Sequence, residues 1–139
     1  MNKFRDSIVR SGKMMWKVVP LILGTILSVS LIVTLIPKSF YLKVFQGNAI
    51  LDPIIGGVIG SVSAGNPVIS YIIGGELLNQ GVSLIAVTAF IIAWVTVGFV
   101  QLPAESMILG KKFALTRNLL SFLFSIVAAV ITVAIWGLI

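Results

Sequence analysis

The sequence predicts an all-α integral membrane protein of about four hydrophobic segments, one of which, residues 53–79, is broken into two half-helices. Three observations carry this. Of the 139 residues 58% are hydrophobic and only 10% charged, against the roughly 25% charged that covers a soluble domain, so much of the surface faces lipid. The runs 18–36, 53–75 and 77–104 carry no charge, and each is at least as long as the roughly 18 residues expected of a membrane helix. A helix-start signature, an Asx residue followed by proline, stands at Asp52-Pro53 and returns at Asn66-Pro67 inside the second run.

Residues 1–17 alternate charge with Phe4, Ile8 and Met15, which fall near one face at helical spacing. They read as an interfacial amphipathic segment, with Trp16 and Lys17 at headgroup level. Residues 18–36 form the first span, roughly 28 Å of helix. Pro20 is expected in its first turn, where a missing N–H costs little, and Pro37 stops it. The long charged region and the lack of a small-x-small pattern before Pro37 read as an anchor rather than a signal peptide. Lys38 and Lys43 follow in a polar stretch that runs to Asn48.

In the second segment small residues recur every fourth position in two rows, Gly56, Gly60, Ala64 and Gly57, Ser61, Gly65. Such rows let helix backbones approach closely in a membrane, within the chain or across an interface. The two proline signatures divide the segment into half-helices of roughly 53–63 and 67–79, with Ser63-Ala64-Gly65-Asn66 between them. A third span, 82–102, starts after Gly81, reaches about Val100 and is kinked or broken by Pro103. Gly110-Lys111-Lys112 closes that segment. The last span, 117–138, has Ser121, Ser125 and Ala129 on one small face and Ala128 and Thr132 on another. The whole chain reads as one membrane domain.

Two topologies compete. If 53–79 crosses the membrane as one broken helix, Lys and Arg divide five (3, 5, 10, 13, 17) against five (38, 43, 111, 112, 117). If the half-helices form a re-entrant hairpin, Lys111, Lys112 and Arg117 join the N-terminal side and the division is eight against two. The positive-inside rule favours the hairpin, with the N-terminus cytoplasmic in the cell membrane.

The composition also excludes chemistry. Without Cys or His there is no thiolate, no imidazole ligand and no Ser-His or Cys-His nucleophile pair, so no metal, cofactor or enzymatic activity is expected. The net charge of +6 sits mostly at the N-terminus, where it reads as an anchor against the anionic bilayer rather than a nucleic-acid surface.

Broken backbone at membrane depth is tolerated only inside protein or beside a polar cavity, which makes the Asn66-Pro67 break the first candidate site. Asn66 is its expected centre, with Ser61, Ser63 and Ser70 adding polar groups; the bland alternative is that these small residues serve packing alone. Glu76, an acid in an apolar run, is either a site residue or an interfacial carboxylate beside Asn79 and Gln80. Gln101 and Glu105 pose the same choice at the second break. Tyr71 and Trp94 read as packing or cavity lining, and Trp136 as an interface anchor.

Several stretches taken together resemble a known family: Val19-Pro20-Leu21-Ile22-Leu23-Gly24 and Ile36-Pro37, then Gly56-Gly57-Val58-Ile59-Gly60 running into a proline break. Ala89-Phe90 leads to Pro103, and Leu109-Gly110-Lys111-Lys112-Phe113-Ala114-Leu115 precedes the last span. In this order they resemble the predicted-permease family that includes the organoarsenical efflux permeases. Long members contain two homologous halves, and this chain resembles one half along nearly its whole length. The resemblance implies a permease that acts as a half-transporter and dimerises, with itself or with a half from another gene, to enclose a path for a small molecule or ion. Long members carry a Cys pair at a break corresponding to Ser61–Pro67, where this chain has Ser61 and Ser63. The rival expectation is a structural or accessory subunit in which the breaks serve helix packing only.

Overall fold

The computed structural model describes residues 2–63 and 65–138, leaving out the side chains of Asn2, Lys3, Leu21 and Val33. Ala64, one member of the small-residue rows, lies outside the described residues. Regular structure in the described residues is all helical: α1 (Asn2–Leu35), α2 (Lys38–Val44), α3 (Leu51–Val62), α4 (Pro67–Asn79), α5 (Leu84–Thr96), α6 (Leu102–Leu109) and α7 (Lys111–Trp136). The chain divides into two units, 1–36 and 37–139.

The first unit is α1, 34 residues without interruption. The amphipathic segment and the first span are therefore one helix, and Pro20 lies inside it rather than in a first turn. Among the described residues α1 and α7 are the two helices long and apolar enough to cross a membrane.

In the second unit, α3, α4 and α5 have 12, 13 and 13 residues, roughly 18–20 Å each, too short to cross a hydrocarbon core alone. α3 and α5 lie side by side in the same direction. A Cβ on Gly56 would stand 2.2 Å from the carbonyl oxygen of Ala86, and one on Gly60 2.3 Å from that of Phe90, so backbone meets backbone along the row. Gly57, on the second row, faces the ring of Phe122 on α7. Both rows are thus taken up inside the chain, through these glycines. α4 runs back against α5: Gly65, just before α4, touches Trp94, while Gly74 faces Ile91 and Val87. α3 and α4 thus run in opposite directions, each against α5. α7 runs opposite to α3, since Gly57 lies by Phe122 and Ile126 and Ser61 shares a cavity with Asn118.

Three boundaries differ from the sequence expectation. Asp52 is not an N-cap, because α3 starts at Leu51 and Asn48 Oδ1 accepts from the amides of Ile50 and Leu51 at 2.9 and 3.3 Å. α5 ends at Thr96, well before Pro103, with Val97 extended and the β-branched Val95, Thr96 and Val97 running into Gly98. Pro103 instead occupies the first turn of α6, where it lacks no partner. α7 begins at Lys111, six residues before Arg117, because Gly110 takes a positive φ of 86° and separates it from α6.

Asp52 is 1% exposed. Its Oδ1 accepts from the amide of Gln46 (3.1 Å), and its Oδ2 from the amide of Gly47 (3.0 Å) and the hydroxyl of Ser83 (3.2 Å). One carboxylate thereby ties the 45–49 loop to the starts of both α3 and α5. This defines a loop end of the unit, opposite the end where the helices break.

Candidate functional site

Two breaks meet at the other end of the α3–α5 pair. At the first, Ser63 is extended (φ −71°, ψ 139°), its amide donates to Ile59 and Gly60, and its hydroxyl donates to the Ile59 carbonyl at 2.8 Å. Gly65 follows at φ 153°, and Asn66 is extended again. The Asn66 side-chain oxygen accepts from the amide of Val68 at 3.0 Å, with Pro67 opening α4. A cap of this kind contributes about 1 kcal/mol. The half-helices and the break between them match the sequence expectation.

The second break, 97–101, is pinned to the first. The amide of Phe99 donates to the carbonyl of Ser61 at 3.4 Å, and Gln101 folds back onto the carbonyl of Gly98. The indole N–H of Trp94 points at the carbonyl of Gly65 at 3.5 Å, and its ring packs edge-on against Phe90. Between the breaks lies a cavity of about 70 Å³, mainly polar, lined by Ser63, Gly65, Trp94, Thr96, Gln101 and Arg117 among others. That volume holds a few waters or one small polar group.

Arg117 supplies the cavity's charge. Its guanidinium pairs with Glu105 Oε1. Glu105 Oε2 accepts from Asn118 Nδ2 at 3.3 Å, and the same Nδ2 donates to the Ala114 carbonyl at 3.0 Å. Asn118 is buried, and its Oδ1 has no partner. Because Nδ2 already faces two acceptors, turning the amide over would lose both bonds. Beside this network lies a larger apolar cavity of about 210 Å³ between Val97, Phe99, Leu102, Leu119 and Phe122, with Ser61 and Asn118 as its polar members. A third, wholly apolar, of about 190 Å³, lies under α2 among Tyr41, Phe45, Leu77 and Phe90.

The expected site residues are thus only partly gathered. Ser63 and Gln101 line the polar cavity, and Glu105 reaches it through Arg117. Ser61 is buried in the neighbouring apolar cavity, its hydroxyl bonded to the Val58 carbonyl. Asn66 caps α4 from an exposed position outside the lining. Ser70 is fully buried and bonds the Pro67 carbonyl at 2.7 Å. Glu76 sits near the opposite end of α4, where it accepts from Gln80 at 3.0 Å and Asn79 at 3.5 Å. It does not join Asn66: ten residues of helix separate them by roughly 15 Å. Arg117, Asn118 and Asp52 hold the structure together in ways that sequence reasoning misses. The visible signal for the first two is an Arg-Asn pair inside the opening turns of an apolar helix. Among the described residues there is no group of His, Cys, Asp and Glu that could hold a metal. Comparison with family models, with curated proteins and with solved structures finds no match to the chain.

Proposed function

We propose that the chain is a small membrane permease acting as a half-transporter, with the cavity between the two helix breaks as part of its substrate or ion path. The single observation behind this reading is the meeting of two helix interruptions around polar groups and one arginine, in a unit whose helices are otherwise apolar. Lipid-exposed irregular backbone is not tolerated at membrane depth, whereas irregular backbone beside a polar cavity is. Paired half-helices with their ends at one depth are how many transporters present donors to a substrate. One unit of this size encloses too little to make a continuous path, so a second copy or a homologous half completes it. The likeness to the organoarsenical permease family supports the architecture; the absence of thiols at the break argues for a substrate other than trivalent arsenicals. Purified protein in liposomes is expected to carry flux of a small solute above protein-free vesicles. An accessory role without flux is the second reading, favoured by the use of both glycine rows for packing inside the chain.

The opposite directions of α3 and α4 along α5 support the re-entrant topology. In it α3 enters from the loop end, α4 returns, and α5 with α6 carries the chain on to Lys111. α7 then crosses back, and with α1 as a span the N-terminus and Lys111–Lys112 share the cytoplasmic side; with Arg117 drawn into the cavity the division is seven basic residues against two. The chain contains no Cys, so single cysteines at positions 13, 43 and 112 are clean labels. Impermeant thiol reagents are expected to reach 13 and 112 from one side and 43 from the other. Labelling of 13 and 112 from opposite sides would contradict the hairpin topology.

A further inference from the structure

We infer that the cavity between the breaks is an oxyanion site in which Arg117 is the binding group and Glu105 is its built-in competitor. The chemistry follows from the cavity; the inference rests on the permease reading only for the site's role.

A guanidinium carries five N–H donors in a rigid fork that matches carboxylate and other oxyanions. Glu105 engages Arg117 through one oxygen, and no other hydrogen-bond acceptor for that guanidinium is found among the described residues. Arg117 lines the cavity as its only charged member among the described residues, with the Gln101 side-chain amide as a neutral donor beside it; the hydroxyls of Ser63 and Thr96 already donate to the Ile59 and Ile92 carbonyls. At about 70 Å³ the space fits one small oxyanion, or the anionic end of a larger molecule. A bulky organic cation fits neither the size nor the charge.

Glu105 has somewhere to go when Arg117 is taken. Its second oxygen is held by Asn118, which is 6% exposed and fixed in place by its bond to the Ala114 carbonyl. An incoming anion can therefore displace one carboxylate oxygen while Asn118 keeps the other. The groups facing Glu105 are few. α6 packs on α7, from which Arg117 and Asn118 reach it; Lys111 and Lys112 are exposed in the first turn of α7. α5 has no titratable side chain, and the one acid of α3, Asp52, is bonded at the opposite end of that helix.

Trp94 lines the cavity and reports on it once Trp16 and Trp136 are replaced by Phe. Sulfate, which does not titrate in the working range, is the probe, added to detergent-purified protein; phosphatidylglycerol in mixed micelles is the second probe, for a lipid headgroup source. Sulfate is expected to change Trp94 emission saturably. Glu105→Gln keeps shape and the Asn118 bond but removes the charge. It is expected to bind sulfate about tenfold tighter near neutral pH, the scale of one charge-assisted hydrogen bond. Arg117→Gln is expected to abolish the response, and Arg117→Lys, which keeps the charge but not the fork, to weaken it. A response to phosphatidylglycerol alone that needs Arg117 assigns the same site to a lipid headgroup. The inference is overturned if Glu105→Gln leaves affinity unchanged, or if both Arg117 variants bind as the parent does. Sulfate flux by the same proteins in liposomes separates the two claims. Arg117-dependent binding without flux removes the permease reading and leaves the site, whereas flux indifferent to Arg117 removes the site and leaves the permease.

Discussion

Gly60→Leu is expected to prevent the second unit from folding. The Cβ alone would stand 2.3 Å from the Phe90 carbonyl oxygen and 3.1 Å from its Cα, and these are backbone atoms of a packed helix that cannot rotate away. Overpacking that side chains can relieve costs about 1–3 kcal/mol; here α3 and α5 have to separate, so the loss exceeds that range. Gly56→Ala meets the same obstacle at the Ala86 carbonyl, 2.2 Å away. Gly75 is the control. It lies in α4 with nothing within 4 Å of the place an added Cβ would take, so Gly75→Ala is expected to be neutral or stabilising by up to about 1 kcal/mol. Thermal unfolding and gel filtration of the detergent-purified variants read the difference. A monodisperse, normally stable Gly60→Leu protein would mean that α3 and α5 do not touch as described.

Asp52→Ala carries the second large effect. It leaves the Gln46 and Gly47 amides and the Ser83 hydroxyl without their common acceptor. Each buried donor orphaned in this way costs about 1–3 kcal/mol, less where water reaches it. The position in the first turn of α3 adds a favourable interaction between carboxylate and helix dipole, which Ala also removes. Asp52→Asn keeps one acceptor oxygen and is expected to fall between. Because the carboxylate holds the 45–49 loop, the expected sign besides a lowered Tm is faster tryptic cleavage after Lys43, in the last turn of α2. Cleavage at the parental rate in Asp52→Ala would show that the loop is held by other contacts.

The first break is legible in the sequence because the cap and the proline that create it are local. Asn66 accepts from Val68 two residues on, and Pro67 needs no partner at the first helical position. The glycine rows are legible for the same reason, since spacing alone puts Gly56 and Gly60 on one face. Which helix they meet is not, because the partner face of α5 is made of Ala86 and Phe90 backbone, which any apolar helix could offer. The second break lies earlier in the chain than its proline suggests. Pro103 is conspicuous, but α5 ends at Thr96 and the 97–101 link is fixed by Phe99 donating to Ser61, thirty-eight residues earlier in the chain. The Arg117–Glu105 pair, twelve residues apart, depends on the Gly110 turn folding α6 onto α7. Counting Arg117 as a flanking charge catches its sign and misses its partner. Glu76 fails as a companion of Asn66 because depth along a helix, not closeness in sequence, decides which side chains share a cavity.

If the chain is a permease, the junction of the two breaks is a water-accessible path through the protein. Ser63→Cys puts the chain's single thiol in its lining, and Ser70→Cys puts one at a fully buried position outside it. Flux in liposomes is read before and after a small, charged, water-soluble thiol reagent. Ser63→Cys is expected to react and lose flux, while Ser70→Cys does neither. A Ser63→Cys protein that is fully modified yet carries undiminished flux would place the path elsewhere.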